Sequence, residues 1–246
     1  MAGISVVDDA VTLSDPVLVE GFPGVGLVGK IAVDHLIDVY EMDHYANVHC
    51  EGIPRVATYH EGETVLTTPV RLYADAERDL IALQSDVPVS PAAAVEFSGC
   101  LAGWFDEESV LPIYLSGLAR EKGESPPGLY GVATDGASDR LSDASIEEPS
   151  ESGLVSGPTG AMLADALERG SPAVGLVVES DPQFPDPEAS RILIADGIDP
   201  IAGMTTPIEG LVDHATEIRE AKEQFAKRMQ QSTEDSSQAE PLKMYQ

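Results

Sequence analysis

The sequence predicts an α/β fold built on a substantially parallel sheet. Three observations carry this. Short runs at 16–20, 80–83, 110–115 and 173–178 are almost continuously apolar, as buried parallel strands are. Helix-period stretches follow several of these runs, so that strand, loop and helix recur along the chain. A length of 246 residues, 43% of them hydrophobic, supports a sizeable core in one large domain or two small ones.

The first clear strand, 16–20, runs straight into GFPGVGLVGK at 21–30. A helix follows, with Ile31, Val33, Leu36, Ile37 and Tyr40 on a broad apolar face. Short β-like runs come next at 45–50, 57–60 and 64–73, with a turn at 61–63. After the buried strand at 80–83, Ser90 and Pro91 cap a helix through Val95, Phe97 and Trp104, and 110–115 is a further strand.

Residues 119–152 are dominated by Gly, Pro, Ser, Asp and Glu and read as an exposed insertion, interrupted by one small strand at 129–133. The α/β rhythm resumes at 153–156, with a helix at 159–167, the strand 173–178 and a helix opening near Pro187 that carries Ile192, Leu193 and Ile194. The α/β domain thus occupies 1–207. From 208 to 230 the pattern is purely helical, with Leu211, Ala215, Ile218, Phe225 and Met229 at helical spacings of three, four and seven. Lys222, Lys227 and Arg228 gather near its end, where they complement the helix dipole. Residues 231–246 form an expected disordered tether and docking tail, because 231–240 contains no hydrophobic residue larger than Ala.

Charge restricts the function classes. With 43 acidic residues against 14 basic ones the net charge is -29, and the only lysines are Lys30, Lys122, Lys222, Lys227 and Lys243. No basic stripe is visible, so nucleic acid and anionic membranes are excluded as partners. Many carboxylates, few lysines and ordinary apolar content describe a salt-adapted, haloarchaeal type of surface, since self-repulsion is largely screened where the Debye length falls to about 3 Å. Cys50 and Cys100 lack a CxxC partner and imply neither a disulfide framework nor a zinc site. A start without a basic n-region, and no segment with the roughly eighteen apolar residues of a span, give a soluble cytoplasmic expectation.

Gly24, Gly26 and Gly29 satisfy G-x-G-x-x-G between a predicted strand and helix. Two readings follow: a phosphate site on the helix N-terminus, or a tight turn that lets the helix pack closely on the sheet. Lys30 completes the G-x-x-x-x-G-K core of a nucleotide loop, but Ile31 stands where magnesium chemistry needs Ser or Thr. His35, His44, His49 and Cys50 lack metal-ligand spacing, and Ser85, Asp86, Ser156 and His214 supply hydrolytic parts without a G-x-S-x-G elbow. The prolines around 181–188 read as a rigid connection before a helix.

Three segments in order, GFPGVGLVGKIA at 21–32, SGPTGAML at 156–163 and FPDPEA at 184–189, resemble the proteasome assembly chaperone family, whose archaeal members are ATP-independent proteasome-binding proteins. The resemblance covers residues 14–230. It implies a three-layer α/β sandwich with a mixed sheet of the nucleoside-phosphorylase type, with no catalytic residues, cofactor or metal.

Met244, Tyr245 and Gln246 read hydrophobic-Tyr-X before the terminal carboxylate. They resemble the tail with which proteasome activators and assembly factors enter pockets between core-particle α-subunits. By that resemblance the Gln246 carboxylate meets a lysine, the Tyr245 ring packs near the gate, and Met244 makes a flexible apolar contact. The expected partner is therefore the core-particle α-subunits, engaged by a homo-oligomer whose tails gain from avidity. The alternative is a nucleotide- or nucleoside-binding α/β protein or enzyme using Gly24, Gly26, Gly29 and Lys30.

Overall fold

A computed structural model describes residues 3–8, 10–60, 62, 64–90, 94–120 and 126–211. The expected helix beyond 211, the tether and the docking tail at Met244, Tyr245 and Gln246 lie outside the described residues.

Among the described residues eight strands form one sheet. They are β1 (Gly3–Val6), β2 (Val17–Gly21), β3 (Asp43–His49), β4 (Val70–Asp75), β5 (Leu80–Ser85), β6 (Leu111–Ala119), β7 (Leu129–Ala133) and β8 (Val174–Ser180), in the spatial order β1-β3-β4-β5-β2-β6-β8-β7. The four central strands, β5, β2, β6 and β8, run parallel. Antiparallel pairings flank them, β1 with β3, β3 with β4 and β4 with β5 on one side and β7 with β8 on the other. The sheet is therefore mixed around a parallel centre.

Alternation along the central strands divides the core in two. Leu18, Ile81, Leu83 and Tyr114 face helices α2 (Ala94–Glu107) and α4 (Gly157–Arg169), where they meet Phe97, Leu101 and Met162. Val19, Leu80, Ala82, Ile113, Val174 and Leu176 face the other way, onto α1 (Val28–Val39) and the segment formed by α5 (Pro187–Ile192), a π-helical turn at Leu193–Ile198 and α6 (Asp199–Ala202). Helices on both faces of one sheet give the three layers.

Several elements differ from the sequence reading. β1 was not legible, because four residues carry too little periodicity. The run at 57–60 contributes only an isolated bridge between Thr58 and Thr67, and β4 starts at Val70. Within 119–152, the strand expected at 129–133 is present as β7 at the sheet edge, and the difference is a short helix, α3 (Ser138–Asp143), that follows it. Residues 153–156 have no regular structure.

The cysteine reading is corrected. Cys50 and Cys100, which showed no pairing signal in sequence, form a disulfide with Cα atoms 5.9 Å apart. The fold brings the end of β3 against α2, a proximity that spacing along the chain cannot reveal. Among the described residues no helix is long and apolar enough to cross a membrane.

Candidate functional site

β2 is followed by α1 and leads toward β3 on one side of the sheet, whereas β6 is followed by β7 at the opposite edge. The strand order reverses between β2 and β6, which makes their carboxyl ends the crevice where α/β sheets commonly place a site. The three segments quoted above converge there.

Glu20, the last residue but one of β2, is fully buried. Its Oε1 accepts the Phe22 amide at 2.6 Å, and its Oε2 accepts the Leu115 amide at 3.2 Å and the Thr159 hydroxyl at 3.0 Å. Burial pushes this carboxyl from 4.5 up to about 7, against the opposing pull of the hydrogen bonds from Phe22, Thr159 and Leu115. One side chain thus fastens β2, β6 and the first turns of α4. Thr159 is itself buried, so the arrangement closes a junction and can hold or release one proton near neutrality.

The glycine turn lies directly above. Gly26 has φ +63°, and a Cβ placed there would stand 1.9 Å from Ser180 Oγ. Leu27 follows with φ 51°, a left-handed conformation costly for a side chain with a Cβ. A Cβ on Gly29 would meet the Glu20 carbonyl oxygen at 3.3 Å and Leu115 Cβ at 3.4 Å, so α1 sits tight on the strand ends. Gly24 has open space around its Cα. The third segment closes the turn: the Asp186 amide donates to Gly26 O at 2.8 Å, and Ser190 Oγ donates to Val28 O at 3.1 Å. Asp186 Oδ1 accepts the Ala189 amide at 3.2 Å and so caps α5.

Lys30 turns toward β5. Its Nζ is 2.9 Å from Asp34 Oδ2 and 3.6 Å from Asp86 Oδ1. Asp86 Oδ2 is in turn 2.8 Å from Nη2 of the fully buried Arg71, and Gln84 Nε2 donates to Asp34 at 2.8 Å. Two cations and two carboxylates balance one another, which leaves the ammonium engaged within the protein.

The remaining sequence candidates are scattered. His35 Nε2 lies 2.7 Å from Pro207 O, Ser85 Oγ donates to Val87 O at 2.7 Å, and Cys50 is in the disulfide. His214 lies outside the described residues. Sequence reading passed over Glu20, Ser180 and Arg71. A signal existed for the first, since an acid ending an otherwise apolar strand is a candidate buried carboxylate.

The model of the PAC2 family matches residues 18–226. The chain is 27% identical over 231 residues to protein MJ0106 of Methanocaldococcus jannaschii, covering 92% of this chain and 93% of that protein. Its fold is similar to that of Pyrococcus furiosus PbaA, described as an archaeal homolog of proteasome-assembly chaperone, with a TM-score of 0.76, 23% identity and coverage of 94% and 99% of the two chains. It is also similar to P. furiosus PbaB, described as an archaeal proteasome activator, with a TM-score of 0.72, 22% identity and coverage of 92% and 98%.

Proposed function

The chain belongs to the PAC2 family, and from that premise we propose that it is a proteasome-interacting assembly chaperone or activator that acts by binding, not catalysis. The observation that carries the reading is the family match across residues 18–226, supported by the likeness of the whole body to PbaA and PbaB. The buried junction is in keeping with it: Glu20, Thr159, Gly26, Ser180 and Asp186 fasten the chain to itself at the crevice where an enzyme of this architecture would open a cleft.

The proposal extends to mechanism. Met244, Tyr245 and Gln246 enter pockets between core-particle α-subunits, an aromatic ring and a terminal carboxylate giving a compact plug with few rotors to freeze. The acidic surface suits a cytoplasm rich in salt, and several copies present several tails, so weak single contacts sum through effective concentration.

Capture of α-subunits by the full chain, by the chain lacking residues 244–246 and by Tyr245→Ala tests this. The full chain retains the α-subunits and both variants lose them. Retention by the truncated chain removes the tail mechanism; failure of the full chain to retain α-subunits removes the proteasome reading altogether.

A further inference from the structure

Four large apolar side chains stand in water on one clamped hairpin. Thr58 and Thr67 exchange backbone hydrogen bonds at 3.0 Å and form the bridge between its arms. Val70 and Leu72 face the α2/α4 cluster, so Arg71 between them points to the α1 side of the sheet. There its guanidinium donates to the hydroxyls of Thr58 and Thr67 at 3.3 and 3.2 Å and to Thr68 O. Alternation turns the next residue on each arm the other way, and Tyr59 and Leu66 are 81% and 66% exposed. Val65 and Val56 on the same arms are 69% and 51% exposed. At the root of the hairpin Ile53, Arg55, Val56 and Pro69 line an open hollow of about 880 Å³.

Composition marks the same surface. Of the 246 residues 43 are acidic, yet 52–60 and 64–74 contain none, and only Glu61 and Glu63 fall between these two stretches. Arg55 is exposed. Loss of charge around exposed tyrosine and aliphatic side chains characterises the centre of a protein contact, and it counts for more here because the rest of the surface repels any other acidic protein. The fully buried Arg71 already fixes the two arms, so binding spends little on ordering them. The partner that fits has an apolar cleft for Tyr59 and Leu66 and carboxylates on its rim for Arg55.

The course of the chain selects the partner. Leu211 is buried in the cluster on the α1 side of the sheet, the side on which Arg71 holds the hairpin. The 35 residues from 212 to 246 reach at most about 120 Å. A partner held by Met244, Tyr245 and Gln246 is therefore within range of the hairpin of the same chain. We infer that the hairpin is a second contact for the core-particle α-subunits, in which Tyr59 and Leu66 enter an apolar cleft of an α-subunit and Arg55 meets its acidic rim while the tail occupies its own pocket. The inference rests on the proteasome reading and adds to it a grip by the folded body. Two weak contacts on one chain then multiply through effective concentration.

Affinity for α-subunits and photo-cross-linking test it. Tyr59→Ser/Leu66→Ser in the full chain is expected to weaken binding roughly tenfold or more, whereas Val95→Ser, on the exposed side of α2, leaves it unchanged. A benzophenone maleimide on Leu66→Cys, which keeps Tyr59 in place, is expected to label an α-subunit, and the same reagent on Val95→Cys is not. Native affinity in the double variant, or no α-subunit label from position 66, overturns the inference and leaves the proteasome reading to the tail truncation. A label on another copy of this chain, or a lower molar mass of the double variant by light scattering without α-subunits, also overturns it, by assigning the hairpin to self-association. Failure of the native full chain to bind α-subunits removes the proteasome reading and this contact with it.

Discussion

The Thr159 hydroxyl donates to the Glu20 carboxylate over 3.0 Å, joining residues 139 apart in sequence. Because the Phe22 amide donates to the same carboxylate, Glu20 links the first segment to the second, and the amide of Asp186 brings in the third through Gly26 O. These segments are consequently parts of one packed junction, and substitutions within it act on stability before they act on any partner.

Glu20 gives that junction a pH dependence. Its folded value of about 7 lies above the ordinary 4.5, so between those values the folded protein holds a proton that the unfolded chain has lost. Its contribution is fully favourable below 4.5 and falls as pH rises toward 7, by about 3 kcal/mol as an order of magnitude. Glu20→Gln abolishes this titration while placing an amide donor opposite a backbone N–H. The variant is therefore less stable than the native protein near pH 4.5, and the gap narrows by about pH 8. Denaturant melts of both proteins across the window measure it; a gap independent of pH would refute the assignment.

Gly26→Ala tests the turn. Alanine at φ +63° with its Cβ 1.9 Å from Ser180 Oγ combines backbone strain with overpacking, for a loss of about 2–4 kcal/mol. Ser180→Gly added to it recovers the steric part and leaves the backbone part. Millimolar nucleotides are expected to leave the melting temperature of the native protein unchanged. Stabilisation by a nucleotide that Gly26→Ala abolishes would favour a ligand site instead.

The central α/β rhythm was legible because strands buried on both faces are apolar throughout, and β2, β5, β6 and β8 all stand where such runs occur. The antiparallel margins were harder to read. β1 is too short for a period, and the strand expected at 57–60 is reduced to one bridge that Arg71 clamps; β7, in contrast, stands where the small strand at 129–133 was expected. At the junction, the glycines were visible as a spacing, but their reason lay in Ser180 and Leu115, residues that only tertiary structure brings near. The cysteine pair was hidden for the same reason.

Arg71 is expected to matter more than Lys30. The guanidinium is fully buried, donates to Thr58 and Thr67 at 3.3 and 3.2 Å, and pairs with Asp86 at 2.8 Å. Arg71→Met leaves Asp86 with Lys30, at 3.6 Å, as its remaining cation and unties the bridge, at a cost of about 3 kcal/mol, the lower end for a broken buried pair because Asp86 also reaches solvent. Lys30→Met loses a partly exposed pair and costs less than about 1 kcal/mol. Equal losses in chemical denaturation would contradict this ranking.

The disulfide closes a separation of 50 residues between the end of β3 and α2. Constraint of the unfolded chain makes such a link worth about 2–4 kcal/mol. Cys50→Ser/Cys100→Ser should melt correspondingly lower, and a reductant should bring the native protein down to the same temperature. A native melting temperature indifferent to reductant would show that the link is not formed in solution.

Salt should stabilise the fold through its charge. At net -29 the carboxylates repel one another in the compact state more than in the expanded chain, and screening relieves the compact state preferentially. The Debye length falls from about 10 Å at 0.1 M to about 3 Å at 1 M, so the melting temperature should climb steeply over that range. Part of any rise comes from salting-out of apolar surface, which charge reversal separates. Asp139→Lys/Asp143→Lys on the exposed face of α3 adds two charges per substitution and moves the net charge from -29 to -25. If repulsion drives the salt response, this variant melts higher than the native protein at low salt and the two converge at high salt. Parallel curves would assign the stabilisation to salting-out instead, leaving the acidic composition without a role in the stability of this fold.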